Sequence, residues 1–248
     1  MANSLEQLPF LSGHRHVHQP PQENLSCEQA QLAAEQVKAQ QAFSYNEFED
    51  VNPLPQGAQG EATVVRLIST QNLYVRKRLP YGTNEQKKDA DQEVNMLMRA
   101  SSENIVKFIG KFEHQQGLFI ITEYCEGGNF REKINSERNS PLGFKYLFEM
   151  LLALQLIHRL KMVHRDVKPE NIFIDKDEKA KTGDFGLAQV IESKSYLKSA
   201  GTKVYAPAEA HRFNKMTYES DIWALGVVMI EFITGQHPFE ESKETTHS

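Results

Sequence analysis

The chain changes near residue 130 from short, strand-like apolar runs to longer segments with helical periodicity. Runs rich in β-branched and aromatic residues span 63–68, 73–77, 105–112 and 118–124, with turn-forming sequences between them. Residues 84–100 differ, because their larger apolar side chains recur at helical spacing on one face. The first part of the chain therefore predicts four strands and one helix.

Longer apolar segments follow, and their spacing is that of helices. A broad apolar face predicts a helix that ends at residue 160 and is buried on most sides. Eight residues form this face: Phe144, Leu147, Phe148, Leu151, Leu152, Leu154, Ile157 and Leu160. A short hairpin is predicted at 171–174 and 179–182. Residues 221–234 predict a second helix, which is apolar nearly all round and needs cover on most sides.

Residues 1–42 form a separate compositional zone. His14, His16 and His18 alternate and could bind a metal, but three histidines in such a segment more often form an incidental polar tract. Ser26 with Gln29 is a plausible capping box for a helix over 28–40, which has few large apolar residues to bury. We expect a disordered tail with a marginal helix.

Composition limits the possible classes of protein. The 248 residues suffice for one large domain or two small ones. The net charge is -5, and the sequence contains no block of like charges. We therefore expect neither nucleic acid nor a membrane surface as a partner. Cys27 and Cys125 form no disulfide framework, and the chain has no signal peptide or long apolar run. We expect an intracellular protein, located in the cytoplasm.

The run Val163–Asn171 combines three groups suited to phosphoryl transfer. Pro169 prevents a helix interior here, so the polar side chains lie on a loop. Asp166 can accept a proton from an attacking hydroxyl, Lys168 can neutralise the moving group, and the Asn171 oxygen can bind a metal ion. A solvated surface loop is the alternative, but the whole run favours a site.

This run resembles the catalytic loop of protein kinases, H-R-D-L-x-x-x-N, with Val167 in the leucine position. Lys168 is similar to the lysine of the serine/threonine-specific branch. The resemblance implies an α+β, two-lobed fold with a small antiparallel β-sheet and one helix in the N-lobe (43–123). A hinge (123–128) and a mostly helical, incomplete C-lobe (129–248) would follow.

The resemblance also implies catalytic roles. Lys77 lies fifteen residues after Ala62, as the strand lysine of the family does, and would bind the α- and β-phosphates of ATP. Glu93 on the 84–100 helix would be its partner. Asp166 would be the base and Lys168 would assist it.

Further residues would bind the nucleotide. Gly57 and Gly60 take the second and third positions of the glycine-rich loop, while Pro55 takes the first and Ala62 the valine position. Proline lacks an N–H and fixes φ, so we expect weaker nucleotide binding. At the hinge, Thr122 would be the gatekeeper, and the backbone of Glu123 and Cys125 would bind adenine.

Asp-Phe-Gly at 184–186 follows Asp166 by eighteen residues. By resemblance, Asp184 and Asn171 hold Mg²⁺, which needs few protein ligands because it keeps several waters. Phe185 would stack with three further side chains that join the lobes: Leu97, Phe108 and His164.

Residues 187–200 resemble an activation segment. Arg165 suggests a basic pocket for a phosphorylated residue, which an upstream kinase would supply. The candidates are Ser193, Ser195, Tyr196 and Ser199. Gly201–Thr202 would meet the protein substrate. Pro207 stands one place early in the Ala-Pro-Glu motif that ends at Glu209, and Asp221 would anchor the catalytic loop.

Three functions remain open at this stage. The first is an active kinase that phosphorylates serine and threonine hydroxyls of proteins, since every catalytic residue is in place. The second is a nucleotide-binding pseudokinase or scaffold, suggested by Pro55 and Ala62. The third is an inactive truncated fragment, which we would expect if the family's later helices and the arginine partner of Glu209 were absent. We expect an exposed apolar patch on 221–234, a buried unpaired Glu209, and a chain that aggregates and is weakly active at best. Asn171–Ile172–Phe173 and the hinge also resemble NIMA-related kinases, although the sequence does not fix the subfamily.

Overall fold

The computed structural model describes residues 43–54, 61–191 and 196–239. The residues in these ranges form nine strands: β1 Phe48–Pro53, β2 Glu61–Leu67, β3 Leu73–Pro80, β4 Phe108–His114, β5 Gly117–Glu123, β6 Met162–Val163, β7 Ile172–Ile174, β8 Ala180–Thr182 and β9 Gln189–Val190. The α-helices of the described residues are α1 Asn84–Arg99, α2 Phe130–Lys133, α3 Pro141–Arg159, α4 Ala208–Phe213 and α5 Tyr218–Thr234. The tail and helix expected in 1–42 lie outside these ranges.

The N-terminal half is a five-stranded antiparallel sheet in the order β1-β2-β3-β5-β4. The four predicted strands are confirmed, with one clear difference in a boundary: the strand expected from residue 105 begins at Phe108. Ile105 instead makes a single parallel bridge to Thr182. The sequence analysis did not predict β1, because its polar sequence lacks strand-like alternation and a bulge interrupts it between Asp50 and Asn52.

The two faces of this sheet bury different clusters. On β5, Leu118 and Ile120 pack into the main core with α1, whereas Phe119 and Ile121 pack with Phe43 on the opposite face. Alternating strand residues therefore supply both layers. The resulting sheet holds the catalytic lysine candidate on the side that faces α1.

Helix α1 confirms the helix predicted at 84–100. It begins after Thr83, whose side chain accepts a hydrogen bond from the backbone N–H of Gln86, while the Gln86 side chain accepts from Thr83 N–H. This capping box satisfies two otherwise unpaired donors. Val94 and Leu97 are buried, and Glu93 lies beside them at 6% exposure.

Helix α3 is present as predicted, but the expectation that it is buried on most sides is wrong. Four residues of its apolar face are 40–59% exposed: Phe144, Phe148, Leu151 and Leu152. The opposite face packs against β8 and α5 through Tyr146, Met150, Leu154 and Ile157, which are 0–1% exposed. No element among the described residues covers the exposed stripe.

Helix α5 has the exposed apolar face that the sequence predicts. Val228 and Phe232 are fully buried, but five large side chains on the other side are 39–46% exposed: Ile222, Trp223, Met229, Ile230 and Ile233. We call these five residues the α5 face. The expectation of a buried Glu209 is wrong, since this residue is half-exposed on the short helix α4.

Among the helices of residues 43–54, 61–191 and 196–239, none is both long enough and apolar enough to cross a membrane.

Candidate functional site

The loop after β6, which begins at His164, is anchored by helix α5. Asp221 accepts hydrogen bonds from the backbone N–H groups of His164 and Arg165, both at 2.9 Å, and is 1% exposed. His158 Nε2 lies 2.9 Å from the same carboxylate. The expected anchoring of the loop by Asp221 is thus confirmed. Arg165 has φ of +66°, a strained value for a residue with a side chain.

Asp166 lies at the centre of a hydrogen-bond network on this loop. Lys168 Nζ lies 2.9 Å from its Oδ2, and Asn171 Nδ2 donates to Oδ2 at 3.0 Å. Thr202 donates to Oδ1 through its backbone N–H at 2.9 Å and its hydroxyl at 2.8 Å. Burial alone would raise the pKa of Asp166, but the bonds from Lys168 and Thr202 outweigh it and lower the pKa.

A second charged group lies between the sheet and α1. Lys77 Nζ on β3 is 2.9 Å from Glu93 Oε1 and 2.7 Å from Asp184 Oδ1. Burial disfavours the charged amine, but the two carboxylates outweigh it and raise the pKa of Lys77. Lys77 is therefore a fixed cation that links β3, α1 and the Asp-Phe-Gly segment.

Asn171 and Asp184 fit the metal-binding role expected from the sequence. The Asn171 Nδ2 donates to the Asp166 carbonyl at 2.8 Å as well as to its carboxylate, so the amide oxygen is left for another partner. Asp184 uses Oδ1 for Lys77, and no described residue binds its Oδ2. Both are hard oxygen donors of the kind that Mg²⁺ prefers. The described residues contain no cluster of three His, Cys, Asp or Glu side chains for a metal.

Only some of the nucleotide-binding candidates lie within the described residues. Ala62 on β2 is the direct cross-strand partner of Lys77, so the two share a face of the sheet. Glu123 ends β5, and Cys125 follows it as a buried residue whose thiol pKa is raised to about 12 by burial. Gly57, Gly60 and Pro55 lie outside the described residues.

One contact of the expected stack of side chains is present, and its other two members lie in or against the main buried cluster. Phe185 is fully buried, and its ring centroid lies 5.4 Å from that of His164. Leu97 belongs to the same buried cluster, and Phe108 packs against it. Asp184, immediately before Phe185, has φ of +58°, so a second strained residue lies at this site.

Arg165 reaches the activation segment through backbone carbonyls. Its Nε donates to Leu187 O at 2.7 Å and its Nη1 to Lys198 O at 2.9 Å. A Cβ on Gly201, which has φ of +87°, would collide with the Arg165 carbonyl oxygen. Of the predicted phosphorylation candidates, Tyr196 and Ser199 are described. Ser193 and Ser195 lie outside the described residues.

The sequence analysis missed two parts of this site. One is the double contact of Thr202 with Asp166, across 36 positions of the chain. The other is Arg131 on α2, which binds Glu170 at 2.7 Å and also contacts Glu231 and Tyr205. Neither contact has a local sequence pattern, because each joins segments that are distant in the chain.

Comparisons with known proteins agree with this geometry. Residues 48–248 match the protein kinase domain family. Serine/threonine-protein kinase Nek1 of Mus musculus is 33% identical over 193 residues, covering 75% of this chain and 16% of that protein. Nek5 of Homo sapiens is 33% identical over 206 residues (79% and 29%), and Aurora/IPL1-related protein kinase 2 of Caenorhabditis elegans is 28% identical over 211 residues (82% and 68%). The chain thus spans less than a third of the length of these two Nek proteins.

Proposed function

The chain belongs to the protein kinase family, and on that premise we propose that it transfers the γ-phosphoryl group of ATP to serine and threonine hydroxyls of proteins. The observation that carries the proposal is the hydrogen-bonded pairing of Asp166 with Lys168 and Thr202, close in sequence to Asn171. Phosphoryl transfer depends mainly on positioning and electrostatic stabilisation, and these residues supply both.

Lys77 would hold the α- and β-phosphates. Its ion pair with Glu93 fixes the amine, and the two neighbouring carboxylates raise the pKa of Lys77, so burial does not discharge it. Asp184 and Asn171 would hold Mg²⁺, which would supply positive charge to neutralise the phosphate groups. Because Asp184 also pairs with Lys77, the phosphate-binding and metal-binding groups are positioned together.

Asp166 would receive the proton of the substrate hydroxyl. The bonds from Lys168 and Thr202 keep it ionised, so it orients the hydroxyl and accepts the proton as the O–H bond breaks. Lys168 is bonded to both Asp166 Oδ2 and Thr202 Oγ1, at 2.9 Å each, and can neutralise the transferred group. Transfer to serine or threonine is supported by Lys168 and by the names of the relatives.

The hinge backbone at Glu123 and Cys125 would bind adenine, with Ala62 and the glycines of 57–60 over the nucleotide. The partners would be a protein with a serine or threonine hydroxyl and an upstream kinase that acts on the activation segment. Pro55 and Ala62 favour one alternative, a nucleotide-binding pseudokinase. The complete set of Lys77, Asp166, Asn171 and Asp184 favours the active enzyme.

A degenerate peptide library tests the proposal. With labelled ATP and Mg²⁺, we expect label in peptides that contain serine or threonine and none in matched peptides that contain only tyrosine. Removal of Mg²⁺ by a chelator serves as the control and should abolish labelling. A chain that binds Mg-ATP but labels no peptide would favour the pseudokinase.

A further inference from the structure

A buried lysine beneath the hinge takes no part in the proposed phosphoryl transfer. Lys181 on β8 is 8% exposed, which is unusual for a lysine unless it is paired. Its Nζ lies 3.0 Å from Glu123 Oε1 and 3.7 Å from Asp175 Oδ2. One buried cation therefore joins the first residue of the hinge to the turn of the β7–β8 hairpin.

Glu123 is tied to a third segment as well. Its Oε1 accepts a hydrogen bond from the backbone N–H of Lys107 at 2.7 Å, and its own N–H donates to the Lys107 carbonyl at 3.0 Å. The side chain of Glu123 thus lies at a junction between β5, the segment before β4, and β8. Rotation of the Glu123 backbone would break contacts on both sides.

The other end of the hinge is held by the same hairpin. Gly127 N–H donates to Ile174 O at 2.9 Å, and Ile174 N–H donates to Gly128 O at 2.8 Å. A Cβ on Gly127 would lie 2.8 Å from that Ile174 oxygen, so the approach requires glycine. At the Gly127 end, backbone atoms alone join the hinge to the hairpin. At the Glu123 end, the link between hinge and hairpin depends on the ammonium group of Lys181.

Removal of that ammonium group would leave two carboxylates facing each other in a partly buried space, since the side chains of Glu123 and Asp175 are 24% and 15% exposed. Asp175 is fixed there, because its Oδ1 accepts from the backbone of Asp177 and Lys179, both at 2.9 Å. The Glu123 carboxylate is held by one backbone N–H, whereas that of Asp175 is held by two, so we expect Glu123 to move when the two like charges repel. Its backbone would move with it.

We propose that Lys181 is a positioning residue that fixes the Glu123 end of the hinge for adenine recognition. This rests on the proposed function, because it takes the hinge backbone to be the adenine site. Lys181 acts through Glu123 and touches neither the nucleotide nor the transferred group. Loss of Lys181 should therefore weaken the binding of adenine, while Lys77, Asn171 and Asp184 would keep their proposed contacts to phosphate and metal.

The test measures the binding of adenine separately from the binding of phosphate, in the full chain. In Lys181→Met we expect the KM for ATP and the dissociation constant of adenosine to rise together by about tenfold, the size of a typical coupling between contacting residues. Inhibition by Mg-tripolyphosphate, which has no base, should stay unchanged, and kcat should change by less than about twofold. Lys181→Arg should restore adenosine binding.

Two further variants complete the test. Lys176→Met is the matched control, because this lysine lies in the same hairpin with a side chain that is 68% exposed; it should have no effect. Glu123→Gln should weaken adenosine binding by about threefold, and the double variant with Lys181→Met by less than the product of the single effects. If Lys181→Met fails to fold, Glu123→Gln decides the matter.

An unchanged adenosine constant in both single variants would overturn the inference. So would a loss of tripolyphosphate binding equal to the loss of adenosine binding, which would indicate general loosening. Calorimetry with adenosine does not depend on turnover. A chain that transfers no phosphate but loses adenosine affinity in Lys181→Met would therefore overturn the proposed reaction and support the role of Lys181.

Discussion

Thr202 donates two hydrogen bonds to a single oxygen of Asp166, one from its backbone N–H at 2.9 Å and one from its hydroxyl at 2.8 Å. Lys168 closes the arrangement by bonding both residues. Thr202, two residues after the activation segment, is thereby docked on the catalytic loop. In this state the proposed base is ionised and oriented, so any change that displaces Thr202 should alter the orientation and the pKa of Asp166.

Thr202→Ala should slow turnover by about 10–100-fold, because the proposed base loses one orienting bond while the backbone N–H remains. The hydroxyl lowers the pKa of Asp166, so its loss should raise that pKa. Activity requires the carboxylate and is lost as pH falls through the pKa. The acidic limb of kcat/KM against pH should therefore move to higher pH.

Thr202→Ser is the control, since it keeps a hydroxyl at the same position, and its profile should match that of the wild type. An alanine variant with reduced turnover but an unmoved acidic limb would contradict the link between Thr202 and the ionisation of Asp166.

Asp184→Ala should abolish Mg²⁺-dependent nucleotide binding, because the metal loses its only proposed carboxylate ligand. Titration calorimetry with and without Mg²⁺ measures this directly. Glu93→Gln provides a comparison, as it weakens the Lys77 pair yet leaves the metal ligands in place. Mg-ATP affinity equal to that of the wild type in Asp184→Ala would exclude it as a metal ligand.

Pro55→Gly should strengthen ATP binding. Glycine restores an N–H donor and removes the fixed φ of proline in the loop expected to cover the phosphates. A change of about 0.5–1.5 kcal/mol, the net value of one hydrogen bond, corresponds to a KM for ATP that is about 2–12-fold lower. An unchanged or higher KM would indicate that this loop lies away from the phosphates.

The exposed α5 face allows a matched pair of substitutions. Ile230 is 46% exposed, so Ile230→Glu should change the free energy of unfolding by less than about 0.5 kcal/mol and reduce aggregation. Val228 is fully buried two positions earlier, and Val228→Glu should cost several kcal/mol or prevent folding, on the order of the penalty for an unpaired buried charge.

Urea denaturation and light scattering distinguish the two cases. If Ile230→Glu destabilises as much as Val228→Glu, other residues cover the α5 face in solution.

The sequence was most informative where the chemistry is local. Asp166, Lys168 and Asn171 lie within six positions, and their residue types alone indicate phosphoryl transfer. The periodic patterns located α1, α3 and α5 to within a few residues at either end. These features depend on neighbouring residues, which is why they can be predicted without knowing the tertiary contacts.

Long-range contacts were not predictable in the same way. Arg131 contacts Glu231 across 100 positions, and Lys181 contacts Glu123 across 58. The prediction that α3 is buried on most sides was wrong for a related reason. Periodicity identifies which side chains are apolar, but the exposure of Phe148 and Leu151 depends on which elements lie over them. Polar β1 was missed because its pairing with β2 depends on tertiary context.

A single-turnover measurement of Asp166→Asn tests the central claim most directly. The wild-type chain, loaded with Mg-ATP, should transfer phosphate to a serine peptide. The variant should be slower by about 10²–10⁴-fold, because it lacks the proton acceptor, while its Mg-ATP affinity stays within about twofold of the wild type. Transfer by Asp166→Asn at close to the wild-type rate would contradict the assignment of Asp166 as the base and, with it, the proposed mechanism.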